Sequence, residues 1–102
     1  MPRSEAIVRT PHALHHLTQL GEHFATAVAV KTTANQALVD FTFGTCRLDA
    51  TDDQLTLHAD GLDDICLARI EYLVGEHLER LGARESLTTD WQPVTDSDPA
   101  QA

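Results

Sequence analysis

Basic residues are scarce in this chain of 102 residues, with 7 Lys and Arg against 16 Asp and Glu and a formal net charge of −9. The few cations, Arg3, Arg9, Lys31, Arg47, Arg69, Arg80 and Arg84, are dispersed rather than gathered into a patch. Such a field repels phosphate backbones and anionic lipid, which excludes nucleic acid and membrane surfaces as partners. No apolar run approaches the ~20 residues of a spanning helix, and no basic, apolar leader opens the sequence, so the chain reads as cytoplasmic. Cysteine is nearly absent too. Cys46 and Cys66 form no CxxC pair and are too few for a disulfide framework; each falls at an apolar position, which suits a reduced core thiol, with a mutual disulfide or a reactive thiol as alternatives.

Catalytic signatures are missing as well. There is no GxSxG, no HExxH and no glycine-rich phosphate loop. The carboxylate pairs Asp52–Asp53 and Asp63–Asp64 fall in a turn and at a helix start, where structural roles account for them. The sequence therefore names no reaction and calls for no cofactor, and a non-enzymatic protein is the expectation.

What is present is strong patterning. SEAIVR (4–9) reads as a first strand. Thr10 and Pro11 then supply a helix start, an N-cap hydroxyl followed by proline at the first helical position, and the helix runs to about Phe24 with Ala13, Leu17, Leu20 and Phe24 as one apolar stripe. Four short alternating segments follow: AVAVKTT (27–33), ALVDFTF (37–43), TCRLDA (45–50) and QLTLHAD (54–60). In the last three, Ala37, Val39, Phe41 and Phe43, then Cys46, Leu48 and Ala50, then Leu55, Leu57 and Ala59 share one face. Asp40, Arg47, Asp49, Thr56 and His58 take the other, wet face. A long helix from Asp60 or Gly61 to Gly82 carries the stripe Leu62, Cys66, Ile70, Leu73 and Leu81, flanked by Ile65 and Val74. ESLTTDWQ (85–92) reads as a closing strand.

Each helix has one apolar stripe and each strand one apolar face. The architecture that satisfies all of them is a two-layer α+β sandwich, an antiparallel sheet with both helices on one face, in the order β-α-β-β-β-β-α-β. That order resembles the TATA-binding-protein-like or helix-grip class, in which a curved sheet cradles the long helix. One domain is expected over residues 1–92, large enough to bury roughly 65% of its unfolded surface. Residues 93–102 read as a disordered acidic tail.

Histidine is the unusual component. His12, His15, His16 and His23 lie in HALHHLTQLGEH (12–23), and on a helical wheel His12, His16 and His23 fall within roughly 40° of one another. The spacing of His12 and His16 would let two imidazoles share a transition-metal ion, the alternative being a solvated helix flank; His23, about 10 Å further along the axis, is too far to join them. His77 falls near the centre of the long helix's stripe, between Leu73 and Leu81, where it is expected neutral and hydrogen-bonded. It is either a core histidine satisfied by a carbonyl or Thr hydroxyl, or a polar group lining a pocket. Arg80, Arg84 and Glu85 form a charged cluster at the helix exit.

The blocks LTQLGEHF, FTFGTCRLDA, LTLHAD and EHLERLGARESLTTDWQ resemble the bacterial domain-of-unknown-function family DUF2218 over about residues 5 to 92. The resemblance implies a small stand-alone α+β domain without an established activity, in a neighbourhood of iron and siderophore handling. It places His23, Phe43, Gly44, Thr45, Cys46, His77, Leu78, Glu79, Arg80, Arg84, Glu85 and Trp91 on the family's pattern. His12, His15 and His16 lie off it, and Leu81, Gly82 and Ala83 stand where the family more often has an aromatic. The expected site is a groove between sheet and helix that binds a small ligand or a protein partner through His23, Cys46, His77, Arg80, Arg84, Glu85 and Trp91. Metal binding through His12 and His16 is the alternative. Ligand identity, strand order and oligomeric state are left open.

Overall fold

The structure is a computed structural model that describes residues 2–85 and 87–94. Strand β1 (Arg3–Arg9) leads into helix α1 (Ala13–Ala25); β2 (Ala29–Thr32), β3 (Gln36–Asp40), β4 (Gly44–Ala50) and β5 (Gln54–Gly61) follow, then helix α2 (Asp64–Leu81), a single 3-10 turn (Ala83–Glu85) and β6 (Gln92–Val94). All pairings are antiparallel, in the sheet order β2-β3-β4-β5-β1-β6. The first and last strands thus sit together beyond the end of the β2–β5 meander.

Period-two alternation sets the sheet faces as expected. Ala6 and Val8 of β1, Ala37 and Val39 of β3, Cys46, Leu48 and Ala50 of β4 and Leu55, Leu57 and Ala59 of β5 are buried in one cluster with Ala13, Leu17, Leu20 and Phe24 of α1 and Ile70, Val74 and Leu78 of α2. Both helices therefore cover the same face. On the other face Arg47 pairs with Asp49 (3.1 Å), and His58 stands between Glu5 (3.4 Å) and Asp49 (3.3 Å).

The ends of the helices depart from expectation. Helix α1 begins two residues later, with His12 as its N-cap and no side-chain cap. The Thr10 hydroxyl accepts from the His12 amide (3.0 Å) but donates to Glu85, a partner outside the helix. Helix α2 is capped by Asp63, whose carboxylate accepts from the Cys66 amide at 2.8 Å and is held below the ordinary carboxylate range chiefly by that bond.

The dry stripe of α2 is also rotated. Ile70, Val74 and Leu78 lie at its centre, with Leu67, Leu73 and Leu81 packed beside it, while Leu62 and Ile65 are 58% and 75% exposed. Leu62 precedes the helix altogether, so its phase could not inform the stripe. The closing strand is later and shorter than 85–92. Among the described residues of this segment only Gln92–Val94 pairs with β1; Leu87 lies against Gly82 at the end of α2, and Thr89 and Trp91 lie against Gly75. Pro93 and Val94 are thereby strand residues rather than tail; the expectation of disorder for 95–102 lies outside the described residues.

Candidate functional site

The expected site residues separate into three places. His23 on α1 and His77 on α2 meet across the seam between the helices, their rings stacked at 3.6 Å between centroids and 18° between planes. Phe24 supports both, edge-on to His23 at 5.0 Å and tilted to His77 at 6.0 Å, and itself packs on Phe41. His77 is half-buried on the flank of the stripe, not at its centre, because the stripe turns toward Val74 and Leu78; its contact is the His23 ring rather than a carbonyl or Thr hydroxyl. Desolvation holds His77 below the usual imidazole value, assisted by His23 and Arg80 and opposed by Glu76. Arg80, exposed, reaches Glu76 at 3.7 Å.

Glu85 goes elsewhere. One of its carboxylate oxygens accepts from the Thr10 hydroxyl, and the other from His16 Nε2 at 2.8 Å. His16, expected on a wet flank, is only 3% exposed, and Thr10 is buried beside it. Its Nδ1 is buried with no partner among the described residues. The Thr10 bond first, then desolvation in the opposite sense and His16, leave the Glu85 carboxyl below its ordinary value. This contact ties the 3-10 turn to the β1–α1 connection. It stabilises the fold above the unfolded carboxylate range and loses that contribution as pH falls through the lowered value. Arg84, on the same turn, is exposed.

The two-histidine metal alternative gains nothing here. His12 and His16 have ring centroids 6.4 Å apart, His16 Nε2 is engaged by Glu85, and among the described residues no three His, Cys, Asp or Glu side chains gather to hold a metal. Trp91 lies on the opposite flank of α2 from His77, against Gly75: a Cβ at Gly75 would stand 3.2 Å from Trp91 Nε1 and 2.7 Å from Thr89 Oγ1. The groove that sequence spacing drew through His77, Arg84 and Trp91 is therefore not one groove.

Cys46 is wholly buried in β4, and burial pushes its thiol up to about 12, so a direct contact with ligand requires the core to open. Cys66 is half-buried, and Asp63 raises its thiol. Thiol titration of the native protein with an aromatic disulfide at about pH 8 is expected to modify Cys66 slowly and to spare Cys46 until denaturant is added. Equal rates at the two would contradict the burial of Cys46.

The frame is thus a two-layer α+β domain whose two helices meet at a histidine stack. The chain belongs to the family described as uncharacterized protein conserved in bacteria (DUF2218), which it matches over residues 5–92. It is similar to PA4090 from Pseudomonas aeruginosa, whose structure was solved by NMR: TM-score 0.78, 32% identity, 90% of this chain and 96% of that one covered. No curated protein matches significantly. Among the described residues no helix is long and apolar enough to cross a membrane.

His16 paired with Glu85 escaped the sequence reading because its partner lies 69 positions away. The contact of His23 with His77 had a signal, since both stand in blocks that carry the family resemblance.

Proposed function

We propose that the protein is a cytoplasmic binding domain without catalysis of its own, and that it takes a small anionic ligand at the α1–α2 seam. The His23–His77 stack carries this reading. A proton on His77 is disfavoured by burial in a partly dry seam and by the His23 ring stacked 3.6 Å away. An anion placed against their N–H edges removes that penalty, and Arg80, one turn along α2, adds a charge of the right sign. Ferric siderophores, with carboxylate, hydroxamate or catecholate groups, are the first ligands to try, in keeping with the iron handling that the family resemblance implies. The element order supports placing the fold in the TATA-binding-protein-like class.

The pH sign follows from His77. Its native value lies below the unfolded one, so stability is full above about pH 6.5 and declines as pH falls through the lowered native value, where the unfolded chain binds protons first. His77→Phe is expected to flatten that decline in thermal unfolding series between about pH 7 and pH 5. A slope unchanged by the substitution would assign the acid sensitivity to other groups.

Binding is tested by thermal shift and by imidazole NMR with ferric siderophores, flavins and citrate. Stabilisation, movement of the His23 and His77 ring signals and a raised His77 midpoint are expected. Indifference to every ligand, with His77→Leu more stable than the parent, points back to packing and sinks the proposal.

A further inference from the structure

We propose a second binding site, on the opposite flank of α2, for a quaternary or alkylated ammonium compound held between Tyr72 and Trp91. These are the sole tyrosine and the sole tryptophan of the chain, and both line one groove of about 500 Å³. Glu71, Glu76 and Glu79 line it with them, and Gly75 forms part of its wall. Aromatic faces attract cations whose hydration is weak, above all alkylated ammonium groups, and neighbouring carboxylates supply the charge. Among the described residues the one cation paired to this acidic face is Arg80, at 3.7 Å from Glu76, so three carboxylates face a single guanidinium there.

The walls are held in place before any ligand arrives. Glu79 accepts from both the amide and the hydroxyl of Thr89, each at 2.9 Å, which fastens the segment bearing Trp91 to α2. The Tyr72 hydroxyl donates to Glu76 at 3.1 Å. Gly75 lets Trp91 approach, because a Cβ there would crowd the indole and Thr89. Glu71 makes no hydrogen bond or ion pair to the described residues, so its carboxylate is available to a ligand and can be changed without disturbing the fold. The chain's net charge of −9 concentrates cations at such a surface, and prearranged walls lower the cost of binding.

Trp91 being the only indole, its emission reports on this groove alone. The full chain is titrated with tetramethylammonium and with choline, against sodium chloride at equal ionic strength, and followed by Trp91 fluorescence and the ring resonances of Tyr72 and Trp91. A saturable response to the ammonium compounds is expected, weakened about tenfold in Glu71→Gln and in Tyr72→Leu with the unfolding temperature of Glu71→Gln unchanged. A response no greater than that to sodium, or equal binding by parent and both variants, overturns the site. Because the His23–His77 seam lies on the other flank, neither result bears on it.

Discussion

Gly44→Ala is expected to destabilise the protein by about 4 kcal/mol, from backbone strain and overpacking together. Gly44 opens β4 with φ +155°, a conformation that side-chain-bearing residues rarely adopt. A Cβ built there would stand 2.3 Å from the Asp60 carbonyl oxygen, 2.5 Å from Ile70 Cδ1 and 3.0 Å from Gly61 Cα. Two of those three neighbours are backbone of β5, the strand to which Gly44 is paired through Gly61, so relief requires the central ladder to part. The turn before it is equally committed: Thr42 sits at φ 71°, and the Phe41 amide donates to the Gly44 carbonyl at 2.8 Å. Domains of this size have only about 5–15 kcal/mol to lose. Chemical denaturation checks the prediction; a loss under 1 kcal/mol, about the effect of an ordinary surface change, would mean that the hairpin shifts without strain.

Leu78→Ala comes next, at about 3 kcal/mol. Leu78 is fully buried with Ile70 and Val74 against the sheet, and alanine keeps the helical propensity of α2, so the loss reports the cavity and the lost apolar contact alone. Ile65→Ala is the matched control. Ile65 is 75% exposed, and its truncation is expected to change stability by less than about 0.5 kcal/mol. Equal losses at the two positions would return the dry stripe of α2 to the phase suggested by Leu62, Cys66 and Leu73.

That contrast shows why strands were easier to read than the long helix. A strand offers two phases, and Cys46, Leu48, Ala50, Leu55, Leu57 and Ala59 chose one without ambiguity. A helix offers a continuous arc. With apolar residues at Ile65, Ile70, Leu73, Val74, Leu78 and Leu81, several centres fit equally well, and an anchor at Leu73 carried His77 into the core by about a sixth of a turn. Helix α1 has fewer apolar residues, and Ala13, Leu17, Leu20 and Phe24 are buried as expected, but the dry face also takes in His16 and Gly21.

The candidate site was legible by residue but not by grouping. His23 and His77 were singled out and do meet. Nearness in sequence groups Glu85 with Arg80 and Arg84, yet its partners are Thr10 and His16. Sequence spacing places Trp91 in one groove with His77, and it packs against Gly75 on the other flank of α2 instead.

The sequence alone determined the order of the elements, the inward faces of β3, β4 and β5, the α1 stripe and the acidic field, because each is written in local periodicity or in summed charge. The tertiary structure decided that β1 lies between β5 and β6, that His16 is dry, and that the last strand among the described residues is Gln92–Val94. Those outcomes depend on contacts between residues tens of positions apart, whose free energy exists only once the surfaces that make them have met.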